Sequence, residues 1–487
     1  MRQEARIRGQ WNVMYNLGAL SFYFFWIVAV TGVYLFIFFE TSINGAWQSV
    51  VSITEDQFLV GSLMRSLHRY ATAGMVVTVT LHLIRELYLG RFLAARSFSW
   101  LSGIPLLWLM FASSIGGYWL IWDDRAQYIA LTTAALFDTL PIVVEPMAFG
   151  FIEGARVSDR FFTLLIFLHV GIPLSLLLGM LIHIQRLSDS NTFPERGLAA
   201  AVLVALLVLS LVHPATSGVP ADLNKPLQTI NIDWISMNTF PLVNLIGPGM
   251  VWLFLFSLTG LLILLPFIVP SKRRVVATVD PNFCNGCGWC FIDCPYDAID
   301  MMPHESRSNH MQSVVDTDKC VGCGICAGAC PTATPFKSVN KAFSGINLVD
   351  EKNAEILARV QASLHEKSSG KVLVVGCQHG ADLKHLESEI VATLKLECIG
   401  QLPPSYLDFL CRREGLEAVL LSGCASGNCF HRHGIEIQEG RLAHEREPHL
   451  RYEDVAVRVS TLWTGKGGEK LLSEEVVKSI EAMNNER

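Results

Sequence analysis

The stretch Arg65–Leu87, "RSLHRYATAGMVVTVTLHLIREL", decides the fold. It is apolar enough for a membrane helix, yet it holds His68 and His82, with Arg65 three residues before the first and Arg85 three residues after the second. Ionisable groups inside a membrane segment are costly and usually functional. A later apolar segment repeats the pattern, with His169 and His183 again fourteen residues apart. Fourteen residues make close to four helical turns, so the members of each pair share one helix face, about 21 Å apart along the axis. Two such helices running the same way would meet at two levels, His68 with His169 and His82 with His183. Imidazole is a usual axial ligand of haem iron, so the spacing predicts two bis-histidine haems stacked across a bilayer. A single intramembrane histidine is more simply a hydrogen-bonded packing residue; four at matched spacing are not. Arg65 and Arg85 are placed either to meet haem propionates or to snorkel toward lipid headgroups.

Glycines keep the same period. Gly18 and Gly32 are fourteen apart in a first apolar segment, and Gly103 and Gly117 in a third. Small residues in membrane helices serve helix packing; sharing the histidine period points instead to close approach of a flat macrocycle.

Composition agrees. The 487 residues are 51% hydrophobic and 17% charged, with a mean hydropathy of +0.37, which suggests a membrane protein. Candidate spans of about 20 apolar residues are 16–39, 67–89, 101–122, 161–186, 198–213 and 242–269. The basic start "MRQEARIRGQ" precedes an apolar run too long for a signal-peptide core, so that run is expected to be the first helix. Lys and Arg concentrate on one side of the spans, from Arg2, Arg6 and Arg8 to Lys272, Arg273 and Arg274. The other side holds Arg65, Arg69, Arg125, Arg156, Arg160 and Lys225. The richer side is expected to be cytoplasmic. All 13 cysteines lie between Cys284 and Cys429, in metal-ligand spacing rather than a secreted disulfide framework, which implies a reducing compartment. Both arguments place the N-terminus and the cysteine-rich half in the cytoplasm of a prokaryotic cell, anchored in its inner membrane. No nucleic-acid partner is expected.

The stretches "YNLGALSFYFFWIVAVTGVYL", "GGYWLIWDD" and "RFFTLLIFLHVGIPLSLLLGMLIHIQR", with the opening one, resemble the cytochrome b of quinol-oxidising bc-type complexes over about residues 10–190. The resemblance implies that His68, His82, His169 and His183 bind two b-type haems. It also implies that Gly18, Gly32, Gly103 and Gly117 line them, that Arg65 and Arg85 sit beside them, and that the chain forms a homodimer within a larger complex. The family's Pro-Glu-Trp-Tyr motif, which carries a quinone-site acid, is matched by Ile232-Asp233-Trp234-Ile235. Asp233 is thus a candidate to exchange the proton that accompanies electron transfer to quinone, or else a solvated loop carboxylate. The family's Pro-Trp turn after the third helix is altered here to Leu120-Ile121-Trp122-Asp123.

Residues 284–295 and 320–331 both read C-x2-C-x2-C-x3-C-P, the run of bacterial two-cluster ferredoxins. Zinc sites usually use pairs of C-x2-C instead. The resemblance assigns Cys284, Cys287, Cys290 and Cys330 to one [4Fe–4S] cluster, and Cys320, Cys323, Cys326 and Cys294 to the other.

From Lys371, short aliphatic runs ending in Gly or Cys alternate with helical stretches, which suggests a small α/β domain with parallel strands. Cys377, Cys398, Cys424 and Cys429 fall at or after strand ends, where such sheets place their sites. The segments "EAVLL", "GC-x4-C" and "C-x-G-x-L-P-P" resemble the small (delta) iron–sulfur subunit of methyl-viologen-reducing hydrogenases. That resemblance implies a [2Fe–2S] cluster on these four cysteines and a flavoprotein partner of the heterodisulfide-reductase type. Cys411, mid-helix, is expected to be a structural thiol, and His379, His431 and His433 to be surface groups or neighbours of the ligands.

The expected architecture is therefore multidomain. Residues 1–270 form an all-α di-haem transmembrane bundle and 271–340 an α+β ferredoxin domain. Residues 341–370 are a linker, 371–470 a small α/β iron–sulfur domain, and 471–487 a charged tail. The expected function is a membrane oxidoreductase subunit. It would carry electrons between a soluble flavoprotein (heterodisulfide-reductase-like, or NAD(P)H- or hydrogenase-linked) and the quinone pool. The alternatives are an anchor and wire with no quinone site, and a quinol-oxidising cytochrome b sending electrons to the soluble partner.

Overall fold

The computed structural model describes residues 13–93, 96–141, 158–185, 192–225, 230, 233–235, 237–269, 275–332, 343–365, 371–412, 416–451 and 459–485. Of the residues used above, Arg2, Arg6, Arg8, Arg156, Ile232 and Lys272, Arg273 and Arg274 lie outside the described residues. The chain divides into two compact units, one of 11–187 with 191–270, the other chiefly 271–487.

The first unit is a helical bundle. Its elements are α1 (Leu17–Phe38), α2 (Gly45–Glu55), α3 (Phe58–Tyr88), α4 (Ser97–Ile121), α5 (Asp124–Asp138), α6 (Asp159–Gln185), α7 (Arg196–Val212), α8 (Phe240–Ile246) and α9 (Pro248–Ile268). Among the described residues, α1, α4, α6 and α9 are long and apolar enough to cross a membrane, and α7 is a shorter apolar helix. The expected third, fourth and fifth spans match α4, α6 and α7 to within a few residues. The sixth, 242–269, is split at Gly247 between α8 and α9, and α3 begins nine residues earlier than its expected span and reaches 31 residues. Two amphipathic helices, α2 and α5, were not foreseen among the spans. Helix α1 packs along α3, and α4 along α6. Phe167, Leu174 and Leu178 of α6 are each more than 60% exposed, a face fit for lipid because it carries no polar group needing water. Helix α9 is tied back by Trp100, whose Nε1 donates to Leu262 O at 2.7 Å.

The loop ends are built by local chemistry. Trp122 closes α4 in the left-handed region (φ 54°). Asp123 then caps α5, accepting from Ala126 N at 2.9 Å and from Gly218 N at 2.9 Å, the usual work of an N-cap carboxylate. The altered Trp122-Asp123 turn therefore has a structural role.

The second unit begins with two short antiparallel pairs. Strand β1 (Ala277–Val279) pairs with β4 (Ile346–Leu348), and β2 (Ile299–Pro303) with β3 (Met311–Val315). Two one-turn helices, α10 (Trp289–Ile292) and α11 (Ile325–Gly328), follow equivalent cysteines of the two runs. Each starts from a left-handed glycine, Gly288 and Gly324. Then come α12 (Asn353–His365) and strands β5 (Lys371–Cys377), β6 (Val391–Leu396), β7 (Leu416–Ser422) and β8 (Val459–Leu462), with α13 (Pro404–Cys411), α14 (Gly434–Leu442) and α15 (Glu469–Asn485). The sheet order is β6-β5-β7-β8, all parallel.

Alternation along β5 makes this a three-layer sandwich. Leu373 and Val375 face a core with Ile356, Val360 and Tyr406; Val372 and Val374 face Leu472 and Val476. Such strands, buried on both faces, read as continuous apolar runs. Two sequence expectations change here. Residues 341–370 are no mere linker, because β4 completes a pair with β1 and α12 supplies one layer of the core. The charged tail is likewise structural: α15 seals the other face of the sheet. Cys411, as expected, sits in the apolar core.

The ferredoxin-like part and the α/β part are joined by a buried ion pair. Arg441 is fully buried. It donates to Asp293 Oδ2 at 2.6 Å and to Gly400 O at 2.9 Å. Arg446 donates to Asp293 Oδ1 at 2.7 Å. Removing one partner of a buried pair typically costs about 3–5 kcal/mol, whereas an exposed partner is worth ~1 kcal/mol or less. Arg441→Met should therefore lower the temperature at which iron–sulfur absorbance is lost on heating clearly more than Arg446→Met does.

Candidate metal centres

In the bundle, every expected glycine faces an expected histidine. A Cβ built on Gly32 would meet His68 Cε1 at 3.0 Å, one on Gly18 His82 Cε1 at 3.5 Å, one on Gly117 His169 Cε1 at 2.9 Å and one on Gly103 His183 Cε1 at 3.4 Å. The pairing descends along one helix as it rises along the other, as antiparallel packing of equal fourteen-residue periods requires. The two histidine helices thus meet at two levels. The rings of His68 and His169 lie 6.4 Å apart between centroids, at 64°. His82 and His183 are electrostatic neighbours.

Hydrogen bonds orient the rings. His68 Nδ1 lies 3.0 Å from Val28 O, and His169 Nδ1 3.0 Å from Ser113 O. A carbonyl only accepts, so each Nδ1 carries the proton and each Nε2 keeps its lone pair. His183 Nδ1 meets Ser102 Oγ at 2.9 Å, and that hydroxyl donates onward to Ser99 O. A metal–imidazole bond is about 2 Å long, so two rings sharing one iron leave roughly 6 Å between their centres. The His68–His169 separation fits a metal between them, and the side-chain-free glycines give the space.

In the second unit, Cys320, Cys323, Cys326 and Cys294 line one cavity together with Ala277, Ile299 and Leu348. Cys290 has Cys330, Cys287 and Cys284 as its charged-state neighbours. The fourth cysteine of each run therefore joins the other run's three. Gly286 and Gly322 hold equivalent left-handed turns (φ 69° and 73°). A Cβ there would strike Met311 O at 2.3 Å and Val275 O at 1.9 Å, respectively. Burial pushes the Cys290 thiol up to about 11 and the Cys326 thiol well above its usual range. Packed together as thiolates, such groups would repel. Sets of four that converge in the fold without disulfides have the donor chemistry of iron–sulfur ligands.

Comparison with known proteins agrees with both geometries. The Cytochrome b/b6/petB family matches residues 3–191. Cytochrome b6 of Heliobacterium mobile is 30% identical over 184 residues, covering 37% of this chain and 86% of that protein. The chain belongs to the cytochrome b/b6 family. The cytochrome b of Acanthamoeba castellanii is 29% identical over 195 residues, with 39% of this chain and 49% of that protein covered, so the chain spans about half of that relative. The menaquinol:cytochrome c reductase cytochrome b subunit of Bacillus subtilis is 25% identical over 159 residues, with 32% of this chain and 70% of that protein covered. A 4Fe-4S dicluster domain matches residues 283–334. A solved hyperthermophilic respiratory Complex III chain is similar at TM-score 0.45 and 20% identity, over 53% of this chain and 76% of that one. The chain is a multi-pass membrane cytochrome b with a 4Fe–4S dicluster domain attached.

Around this cytochrome b core, other expected residues have definite partners. Arg65 does not snorkel: it is 8% exposed, donating to Thr54 Oγ1 at 2.6 Å and to Ser217 Oγ at 2.8 Å. Both hydrogen-bond partners are neutral, and the Asp123 carboxylate is its electrostatic counterpart. Arg85 is held by Glu86, 3.1 Å away, which also reaches Arg91 at 3.7 Å. Asp233 is not a solvated loop residue. Tyr118 Oη donates to its Oδ2, and Arg69 Nη2 lies 3.5 Å from the same oxygen. Arg69 follows His68 and Tyr118 follows Gly117, so Asp233 sits at the His68–His169 level. Tyr118 was not foreseen; its place beside Gly117 was the available signal.

The four C-terminal cysteines also converge. Cys377 Sγ and Cys424 Sγ are 3.7 Å apart, and Cys429 hydrogen-bonds with both Cys398 and Cys424. Cys398 shares an apolar cluster with Cys323, Ile325 and Ile437, so this group adjoins the Cys320–Cys326 site. Glu397, just before Cys398, receives His379 Nε2 at 3.1 Å and His431 Nε2 at 3.3 Å. Burial works to raise its carboxyl, and those two hydrogen bonds more than reverse this, holding it well below the usual carboxylate range. His433 pairs with Glu436 at 2.9 Å at the surface.

The glycine contacts predict a graded series. Gly117→Ala and Gly32→Ala, with Cβ contacts at 2.9 and 3.0 Å, should shift or weaken one haem absorption component. Gly18→Ala and Gly103→Ala, at 3.5 and 3.4 Å, should leave both components near wild type in difference spectra.

Proposed function

We propose that this chain carries electrons between a soluble flavoprotein and the membrane quinone pool. The observation that carries the reading is one chain with two histidine levels in a cytochrome b bundle and three converged cysteine groups in the attached unit. His68 with His169, and His82 with His183, would hold two b-type haems. Cys284, Cys287, Cys290 and Cys330 would hold one [4Fe–4S] cluster, and Cys320, Cys323, Cys326 and Cys294 the second. Cys377, Cys398, Cys424 and Cys429 would hold a [2Fe–2S] cluster, as in the hydrogenase delta subunit they resemble. Bound there, these groups supply the one-electron steps, and the protein sets their spacing and potential.

The residues themselves bind, orient and exchange protons. Thr31, Val28, Ser113 and Ser102 orient the histidine rings. Asp233, between Tyr118 and Arg69, would exchange a proton with quinone at the His68 level. Its position supports quinone reduction over the anchor-and-wire alternative, and the name of the Bacillus relative supports quinone chemistry. We place the cysteine-rich unit on the cytoplasmic side of a prokaryotic inner membrane, from the charge asymmetry of the flanks. The partner would be heterodisulfide-reductase-like or NAD(P)H-linked, and the assembly a homodimer within a larger complex.

Iron analysis tests the cofactor count: two haems and ten cluster irons per chain are expected, whereas eight cluster irons would remove the [2Fe–2S] assignment. For the quinone site, purified protein given a reduced soluble donor should reduce a quinone analogue. Asp233→Asn should slow that step by roughly 10²-fold, the scale of a lost general acid–base, while the haems still reduce. Haems that reduce in wild type without any quinone turnover would establish the anchor reading instead.

A further inference from the structure

We propose that His379, Glu397 and His431 bind a single zinc ion beside the C-terminal cysteine group. The three side chains come from three different loops. His379 lies two residues past Cys377 at the end of β5, Glu397 follows β6, and His431 lies in the loop after β7. Strands β5, β6 and β7 are parallel neighbours, so all three groups gather at the carboxyl ends of the strands, where open α/β sheets place ligands.

The geometry is that of a metal-ligand set. Both imidazoles direct Nε2 at the same carboxylate oxygen, Glu397 Oε1, at 3.1 and 3.3 Å. The three ligand atoms all lie within 4.8 Å of one another. Zinc bonds of about 2.0–2.2 Å at tetrahedral angles set ligand atoms roughly 3.3 Å apart, which both edges match. Two histidines and one glutamate are a known zinc donor set that leaves a fourth position open. Neutral imidazoles and one carboxylate also balance a divalent ion to a net single positive charge.

The rings are fixed from behind as well. His431 Nδ1 meets Tyr296 Oη at 3.3 Å. His379 stacks on Phe430 with centroids 3.6 Å apart and an 8° tilt. A second hydrogen bond on the non-ligating nitrogen is the usual support of a metal-bound histidine. Cys377, Cys398, Cys424 and Cys429 turn toward one another, and a sulfur donor from Cys429, which neighbours His431, would be seen directly in the zinc shell. The site would pin the three loops that carry Cys377, Cys398 and Cys429 to one centre.

A carboxylate that only accepts two imidazole protons would show similar distances, so the ion itself must be tested. Purified full-length protein is incubated with two equivalents of zinc chloride, desalted, and analysed for metals and by zinc X-ray absorption. The inference predicts one retained zinc per chain, with a nitrogen/oxygen shell near 2.0 Å and no sulfur near 2.3 Å. It also predicts that Glu397→Ala/His431→Ala loses the zinc. Absence of retained zinc overturns the proposal, as does a sulfur shell or undiminished zinc in the double variant. The wild-type shell decides the question even if the variant fails to fold. The iron count is read separately, so failure here leaves the cluster assignments standing.

Discussion

Everything in the membrane unit depends on an imidazole meeting a residue with no side chain. His68 and His169 face each other with their Nδ1 protons spent on the carbonyls of Val28 and Ser113. Their free Nε2 atoms are what a metal would use. The space exists because Gly32 and Gly117 stand where any Cβ would come within about 3 Å of the rings. Repeating that arrangement fourteen residues away in antiparallel helix pairs yields a second level at His82 and His183. Buried neutral polar groups of this kind need partners. The bundle supplies them on the Nδ1 side of His68, His169 and His183, which leaves the ligating side of those rings for a cofactor; His82 Nδ1 has Glu86 at 3.9 Å instead.

The attached unit solves a different problem, which is to gather many thiols without oxidising them. Each C-x2-C-x2-C-x3-C run lends its last cysteine to the other run's site. The two sites are thereby inseparable, and Asp293, next to one such cysteine, is bound by Arg441 of the α/β part. Cys398 and Cys323 consequently share one apolar cluster. Within this unit the C-terminal cysteine group adjoins the Cys320–Cys326 site, and in the proposed relay electrons would pass from the C-terminal group to the second-run site and then to the first-run site.

Much of this was legible in the sequence because short periods carry it. A fourteen-residue repeat survives folding into a helix unchanged, and a cysteine run keeps its ligand spacing in any loop. The levels of His68 and Gly117 could therefore be read from spacing, while the crossing of Cys294 to the other run came from the ferredoxin resemblance. Contacts between distant segments were not legible. Tyr118 and Arg69 meeting Asp233, Arg441 reaching Asp293, and Glu397 joining two histidines all depend on tertiary packing. Residues 341–370 and the tail misled for a related reason. Their polar faces read as exposed, while the apolar stripes of α12 and α15, including Ile356, Val360, Leu472 and Val476, are buried against a sheet that forms from other residues.

The central claim is that the two units form one electron relay, and time-resolved absorption tests it most directly. The full chain in liposomes is reduced by a photoexcited water-soluble donor, and the iron–sulfur and haem bands are followed together. The account predicts that iron–sulfur bands bleach first, that haem reduction tracks their recovery, and that Cys323→Ser abolishes the haem phase. Haems that stay oxidised while the clusters remain reduced, or haem reduction at the wild-type rate in Cys323→Ser, would contradict it.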